Sequence, residues 1–313
     1  MDVNQIKNIA NIGAGTMGHA TALQFAMHGY HVTILDSSHD ALEKGMDAIN
    51  HDIATFQKAG LITETLEDIT QRISITTDYE IAFPRADFVI ESVIEDLKIK
   101  QNVWQHVEEF VSDDTILATN TSGLSPTAIQ SVLKHPERFV VAHFWNPAQL
   151  MPLVEIVPGE KTNQATMDLT EQLIKKIGKH GVPLQKESLG FVGNRIQLAV
   201  IREALHIVDE GIATPATVDD IIKYSLGRRW SLVGPIASAD LGGLDIFRGV
   251  STYLYDDLAN DTGVDPVLNQ KVKDNNLGLK TGHGFFDWHG EDGQKIVAQR
   301  DQALMELLKQ DKD

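Results

Sequence analysis

The sequence contains no cysteine among its 313 residues, which excludes disulfide bonds, thiolate metal sites and cysteine nucleophiles. Basic residues are scarce, with 27 against 44 acidic ones and a formal net charge of −17. Because nucleic acid and anionic membranes bind to basic surfaces, we expect neither as a partner. No apolar run approaches the roughly 18 residues that span a bilayer, and the first residues resemble no export signal. These absences are typical of a cytoplasmic protein.

The pattern of strands and helices changes along the chain. A length of 313 residues predicts two domains, since it exceeds one ordinary hydrophobic core. In the first half, short β-branched segments such as "HVTILD", "ADFVIES" and "RFVVAHF" alternate with helical patterns. This alternation predicts a Rossmann-type α/β domain with a doubly wound parallel sheet over residues 1–186. The later helical patterns predict an all-α C-terminal domain, residues 187–313, for substrate binding and dimerisation.

Gly13, Gly15 and Gly18 form a GxGxxG motif between a predicted strand and a predicted helix. In that context the first glycine permits a tight turn, the second lets a pyrophosphate approach the backbone, and the third lets the helix pack on the strand. Asp36 ends the next predicted strand, where a carboxylate binds the adenosine ribose and repels a 2′-phosphate. The pattern predicts an NAD site; the alternative is a glycine-rich turn with Asp36 as a helix cap.

His143 ends the predicted strand "RFVVAHF", at the edge where open α/β sheets bind their ligands. Oxidising an alcohol requires a base that works near neutral pH, for which histidine is suited. Glu155 lies inside the apolar run "LVEIV", where a carboxylate without a partner would be costly. We predict that the two side chains pair, and their spacing alone leaves open that they merely border the core.

Three neutral polar residues could complete the site. Asn120 and Ser122 follow the predicted strand "TILAT", and Asn194 lies in the first turn of a long predicted helix, facing the crevice if the domains close there. Neutral donors suit a carbonyl that develops negative charge. The same residue types cap turns and helices, and the spacing is equally consistent with that role.

Seven segments, in order, resemble the L-3-hydroxyacyl-CoA dehydrogenases, especially the bacterial 3-hydroxybutyryl-CoA dehydrogenases. They are "IGAGTMG", "VIESVIEDLKIK", "LATNTSGLSPT", "AHFWNP", "MPLVEIV", "GFVGNRI" and "KTGHGFFDW". The resemblance covers nearly the whole chain. It implies a Rossmann domain and a helical domain that forms a homodimer, with NAD as cofactor. The implied reaction is the reversible oxidation of the 3-hydroxyl of a short-chain acyl-CoA.

The resemblance also assigns roles to individual residues. It implies that His143 is the catalytic base and Glu155 its partner, with Ser122 and Asn194 as catalytic or substrate contacts. Glu95 and Lys100 would lie along the nicotinamide half of the cofactor. With the glycine motif and Asp36 included, the predicted cofactor-binding residues are Gly13, Gly15, Met17, Gly18, Asp36, Glu95, Lys100, Asn120 and Asn146.

Two departures from the family pattern weaken the case for a CoA thioester as substrate. The family's CoA-binding helix usually carries several lysines, whereas "MDAINHDIATFQKAGLI" contains only Lys58. The segment "SLGRRWSLVGP" is more similar to the branch of L-gulonate 3-dehydrogenase and carnitine dehydrogenase. There Arg228 and Arg229 could bind a substrate carboxylate or lie at a subunit interface. A free 3-hydroxy acid is therefore the alternative substrate, and a non-catalytic, crystallin-like relative is a further alternative.

A metal centre is not expected from the sequence. Asp287 and His289 in "GFFDWHG" are potential ligands on a predicted turn. No third ligand is evident there at a spacing typical of metal sites.

Overall fold

The computed structural model describes residues 2–311, except for the side chains at positions 291 and 292. The chain divides into two compact units. The first runs up to Asn194 and also includes residues from Arg300 onward, and the second is Arg195–Gln299. The predicted domain boundary after Lys186 lies before this division and stays a prediction.

An eight-stranded sheet forms the centre of the first unit, in the order β3-β2-β1-β4-β5-β6-β7-β8. Its strands are β1 (Asn8–Ile12), β2 (His31–Leu35), β3 (Ile73–Thr76), β4 (Phe88–Glu91), β5 (Ile116–Thr119), β6 (Phe139–Phe144), β7 (Leu153–Pro158) and β8 (His180–Pro183). The predicted doubly wound sheet is confirmed, with one correction, because β6 and β7 pair antiparallel. Only a short loop joins these strands, whereas a parallel pair needs a crossover of about a dozen residues or more.

Helices cover both faces of this sheet. They are α1 (Thr16–Met27), α2 (His39–Ala59), α3 (Leu66–Thr70), α4 (Tyr79–Ala82), α5 (Leu97–Val107), α6 (Pro126–Gln130) and α7 (Gln164–Lys176). Successive strand residues point to opposite faces, so Ile9 and Phe88 belong to one apolar cluster while Ala10 and Val89 belong to the other. Burial on both faces explains why these strands are almost continuously apolar.

The second unit is helical, as predicted. Its helices are α8 (Gly193–Asp209), α9 (Pro215–Tyr224), α10 (Leu226–Trp230), α11 (Pro235–Gly242), α12 (Leu244–Leu254) and α13 (Pro266–Lys273), and α14 (Gly290–Gln310) begins there and ends in the first unit. Within residues 195–299, Leu205 is the one buried apolar side chain that the structure describes. No described helix is long and apolar enough to cross a membrane.

The turn before α14 differs from the sequence interpretation. His283 pairs through isolated β-bridges with Gly278 and Asp287, which brings its side chain beside Asp287 and His289. The premise that no third potential metal ligand accompanies Asp287 and His289 was therefore wrong. It failed because the linear spacing did not reveal that this segment folds back on itself.

Candidate active site

The glycine motif forms a tight turn between β1 and α1. Gly13 has a φ of +95°, and a Cβ there would lie 2.8 Å from the Ser92 carbonyl oxygen. A Cβ on Gly18 would lie 2.0 Å from the Gly13 carbonyl oxygen, so both positions require glycine. A Cβ on Gly15 would meet nothing within 4 Å. Gly15 therefore presents its backbone to open space, as a site for a pyrophosphate requires.

The amino terminus of α1 has hydrogen-bond donors to spare. Gly15 is its N-cap and contributes no side chain. The backbone amides of Thr16, Met17 and Gly18 donate to none of the residues that the structure describes. Free amides at a helix amino terminus, together with the helix dipole, favour a bound anion. These residues thus fit the phosphates of a dinucleotide.

Asp36 follows β2 directly and faces the glycine turn. Its Oδ2 accepts a hydrogen bond from the Ala14 amide at 2.9 Å, and its Oδ1 accepts one from the Ser38 amide at 3.2 Å. The cap of α2 is Ser38, whose Oγ accepts from the Ala41 amide. The carboxylate of Asp36 is therefore fixed beside the turn, where a ribose diol would be bound.

His143 and Glu155 are directly opposed in the antiparallel register of β6 and β7. His143 Nδ1 lies 2.9 Å from Glu155 Oε2, and both side chains are almost fully buried. Glu155 Oε1 accepts hydrogen bonds from the Val192 and Gly193 amides, each at 3.0 Å. Every carboxylate oxygen thus has a partner, which offsets the cost of burying the charge.

The pKa of Glu155 reflects two opposing effects. Burial raises the pKa of this carboxyl, while hydrogen bonds from His143, Gly193 and Val192 lower it and leave the pKa below its ordinary value. The carboxylate is consequently charged at neutral pH. A charged partner at Nδ1 places the proton on that nitrogen and leaves Nε2 of the neutral ring as a proton acceptor. Nε2 has no hydrogen-bond partner among the described residues.

Two aromatic rings that the sequence analysis did not single out flank the imidazole. The ring centroids of Trp145 and Phe191 each lie 5.6 Å from that of His143. A Cβ on Gly193 would lie 2.1 Å from Trp145 Cζ2, so glycine at this position makes room for the indole. The available signal was their place in "AHFWNP" and "GFVGN", next to residues already chosen.

Glu95, Ser122 and Asn194 form a connected network in the same unit. Glu95 Oε1 accepts from the Thr121 hydroxyl at 2.6 Å and from the Ser122 amide at 2.8 Å. The Ser122 carbonyl oxygen accepts from Asn194 Nδ2 at 2.7 Å. Since Asn194 follows Gly193, this network continues to Glu155. The structure therefore joins Ser122 to Asn194 and His143 to Glu155 by hydrogen bonds, and the Gly193–Asn194 segment connects the two pairs.

Lys100 is enclosed by protein. Its side chain is 1% exposed, and Nζ lies 2.7 Å from Glu91 Oε1 and 3.4 Å from Glu95 Oε2. The other Glu91 oxygen accepts from the Thr119 hydroxyl at 2.6 Å. Sequence reasoning missed Glu91, although a glutamate ending the apolar strand "ADFVIE" was a signal. A direct contact of Lys100 with a cofactor stays a prediction.

The two remaining predicted residues lie at strand ends and loops. Asn120 Oδ1 accepts from the Phe144 amide at 2.8 Å, and Asn120 Nδ2 donates to Ser92 Oγ at 3.2 Å. Asn120 thus ties together the carboxyl ends of three neighbouring strands. Asn146 is exposed and precedes a cis peptide bond to Pro147. Its side chain makes no hydrogen bond within the described part of the chain.

A Rossmann-type sheet with its switch point between β1 and β4, and a free helix amino terminus beside it, is typical of NAD-dependent oxidoreductases. Comparison with family models narrows this class. Residues 8–188 match the NAD binding domain of 3-hydroxyacyl-CoA dehydrogenase, and residues 190–288 match its C-terminal domain. The chain belongs to the 3-hydroxyacyl-CoA dehydrogenase family.

Individual relatives differ in what they act on. The chain is 34% identical to a 5-formyl-3-hydroxy-2-methylpyridine 4-carboxylate 5-dehydrogenase of Mesorhizobium japonicum, over 96% of each chain. A solved structure of a dehydrogenase of this kind has a TM-score of 0.92 at 32% identity, covering 98% of this chain and 99% of that one. An (S)-3-hydroxybutyryl-CoA dehydrogenase structure from Ralstonia eutropha has a TM-score of 0.76 at 33% identity, covering 91% and 100%. An L-carnitine dehydrogenase of Oceanobacillus iheyensis is 36% identical over 76% of each chain.

Proposed function

We propose that this enzyme uses His143 as the general base in the reversible, NAD-dependent oxidation of a hydroxyl group. The observation that carries the proposal is the buried His143–Glu155 pair, in which Glu155 engages Nδ1 and leaves Nε2 for the substrate. Nε2 takes the hydroxyl proton during oxidation and returns it during reduction. The charged Glu155 stabilises the imidazolium that forms. NAD, when bound, would supply the hydride acceptor for this oxidation.

The cofactor would be held by the residues around the glycine turn. The α1 amides of Thr16, Met17 and Gly18 would bind the pyrophosphate, which fits the open space over Gly15. Asp36 would bind the adenosine ribose and disfavour NADP. Glu95 accepts a hydrogen bond from the Ser122 amide and would position the loop that carries Ser122.

We further propose that the substrate is a small acid with its own carboxylate, and that it is not a CoA thioester. The charge of α2 supports this: its sequence contains four acidic residues and two lysines, an unfavourable surface for the phosphates of CoA. The match to the pyridine carboxylate dehydrogenase structure also covers 98% of this chain, whereas the match to the hydroxybutyryl-CoA dehydrogenase structure covers 91%. A short-chain 3-hydroxyacyl-CoA is the second candidate, favoured by relatives of that activity at 33% identity.

One substrate panel separates these candidates. NADH absorbance would be followed with acetoacetyl-CoA, with the oxidised forms of carnitine and gulonate, and with a formyl pyridine carboxylate. The proposal expects kcat/KM to be higher for a free acid by more than tenfold. Lys58→Glu, which changes an exposed residue of α2, should raise KM only for a CoA substrate. Preferred turnover of acetoacetyl-CoA, with a KM that rises in this variant, would establish the second candidate.

We also propose that a second copy of the chain covers the helical unit. The helical unit exposes many large apolar side chains, including Leu232, Ile236, Leu241, Leu244 and Phe247. Apolar exposure on this scale marks a protein interface. Light scattering coupled to size exclusion should give twice the mass of 34.5 kDa. A Leu244→Glu variant should shift the enzyme towards monomer, and a monomeric wild-type enzyme would refute the proposal.

A further inference from the structure

Three potential metal ligands meet at the turn before α14, in a segment that the proposed reaction does not use. His283, Asp287 and His289 each offer one ligand atom, and all these atoms lie within 4.8 Å of one another. His283 Nδ1 is 3.6 Å from Asp287 Oδ1, and His289 Nδ1 is 3.2 Å from the same oxygen. The two imidazole centroids are 4.1 Å apart. Two imidazole nitrogens therefore converge on one carboxylate.

These separations match those of ligands around one metal ion. Nitrogen and oxygen ligands lie about 2.0–2.1 Å from a tetrahedral Zn²⁺, which puts two of them roughly 3.3 Å apart. The distances of 3.2 Å and 3.6 Å in the structure lie on either side of this value. Both separations from the Asp287 oxygen are therefore close to those expected around one tetrahedral ion.

The backbone of the turn holds the three side chains in place. His283 is bridged to both Gly278 and Asp287, and the Trp288 amide donates to the Gly282 carbonyl oxygen at 2.7 Å. The His289 ring packs against Gly282, where a Cβ would lie 2.4 Å from its Cε1. The His289 amide donates to Asp287 Oδ1 at 3.0 Å and so orients the carboxylate. The fold of the turn therefore brings the three side chains together, and the His289 amide orients the carboxylate among them.

We propose that His283, Asp287 and His289 form a binding site for a divalent transition metal such as Zn²⁺. A set of two imidazoles and one carboxylate binds transition-metal ions in preference to Mg²⁺ or Ca²⁺, because the latter two take mainly oxygen ligands. All three side chains are more than half exposed, so water can fill the remaining coordination position. The net charge of −17 attracts cations. The site lies in the second unit, whereas the proposed base His143 lies in the first.

Zinc titration of the full-length, untagged enzyme by calorimetry tests the proposal, with Co²⁺ absorbance as a second probe of ligand geometry. The informative variants are His283→Ala, His289→Ala and Asp287→Asn, the last of which keeps an acceptor for the His289 amide. The matched control is His135→Ala, which removes an exposed histidine that lies 3.4 Å from Glu137 without a third ligand in the described chain.

The proposal expects one Zn²⁺ per chain in the wild type and in the His135→Ala control. Each of the three site variants should bind Zn²⁺ more than about 100-fold more weakly, since even the loss of an outer-shell partner costs 10–100-fold. Circular dichroism should show that all variants stay folded, because the altered side chains are exposed. A wild type that binds no Zn²⁺, or site variants that bind it as the wild type does, would overturn the proposal.

Discussion

Glu155 Oε2 lies 2.9 Å from Nδ1 of His143 across the β6–β7 pair, on two residues that are directly opposed in the strand register. Because strands carry both residues, the hydrogen-bonded ladder fixes the separation of their Cα atoms. The Val192 and Gly193 amides hold the other carboxylate oxygen. The imidazole is therefore oriented before a substrate arrives.

Replacing Glu155 by Gln should impair turnover more than folding. Gln keeps an oxygen that can accept from the Val192 and Gly193 amides but removes the charge that stabilises imidazolium. We expect kcat to fall roughly 100-fold or more. Steady-state kinetics checks this value, with Glu160→Gln, an exposed change just beyond β7, as the control. An unchanged kcat in Glu155→Gln would contradict the assigned role.

The same variant should show a characteristic dependence of stability on pH. The pKa of Glu155 is lower in the folded state than its ordinary value of about 4.3, so ionisation stabilises the folded protein at higher pH. This contribution is lost as pH falls through the depressed pKa. Urea unfolding should find Glu155→Gln less stable than the wild type at pH 7, with the gap narrowing in acid. A gap that is constant with pH would argue against a charged Glu155.

Two glycines of the phosphate turn should respond differently to alanine. At Gly15 a Cβ meets nothing in the protein, so Gly15→Ala should lose little stability beyond the weaker helix cap. It should lose NADH affinity, because the methyl group would occupy the phosphate space. At Gly18 a Cβ would overlap the Gly13 carbonyl, so Gly18→Ala should lower both the NADH affinity and the melting temperature. Fluorescence titration and thermal melts separate the two effects. Equal destabilisation by both changes would contradict this account.

Lys100 should prove essential for stability through Glu91. Lys100→Met leaves the Glu91 carboxylate fully buried without its counter-charge, which costs about 3–5 kcal/mol of unfolding free energy. Adding Glu91→Gln should recover most of this loss, as a double-mutant cycle by urea unfolding would show. A single variant as stable as the double variant would refute the coupling. NADH binding by the double variant then measures any direct role of Lys100 in cofactor binding.

The fold class could be predicted from the sequence, and so could a set of candidate site residues. Short apolar runs predict the buried strands, and the glycine spacing predicts the first turn. Both patterns arise from local backbone geometry. The antiparallel pairing of β6 and β7 was missed, although the short connection implies it. The pairing of Glu91 with Lys100 was not predicted, because Lys100 lies on a helix and sequence spacing does not show which helical residues face a strand.

Contacts between residues far apart in the sequence could not be predicted from local patterns. The pairing of His143 with Glu155 was a hypothesis from burial cost, and only the strand register shows that the two side chains meet. His283 was not predicted to lie near Asp287 and His289, because β-bridges between residues apart in the sequence bring it there. Tertiary pairing decides such cases, and one sequence does not encode it in any local pattern.

Lys179 should give the unfolding free energy a distinctive pH dependence. Burial lowers its pKa to about 7, and Nζ donates to the Ala148 and Met151 carbonyl oxygens at 2.7 and 2.8 Å. An unfolded lysine titrates near pH 10.4, so between these values the unfolded chain binds the extra proton and stability rises with pH. Below pH 7 the full cost of burying the charge is present.

The expected contribution of Lys179 is up to about 1.4 kcal/mol per pH unit between pH 7 and 10. Lys179→Met should lose this rise, whereas Lys175→Met, at an exposed position on α7, should keep it. Urea unfolding at several pH values measures the slopes. Identical slopes in the wild type and Lys179→Met would contradict the depressed pKa.

The most direct test of the account is single-turnover kinetics of His143→Gln with the substrate identified by the panel. Removing the base should lower the rate of NADH formation by about 10²–10⁴-fold. The affinity for NADH and the melting temperature should stay close to wild type, because the cofactor would be held around Gly15 and Asp36. A variant that keeps the wild-type rate would show that His143 is not the base.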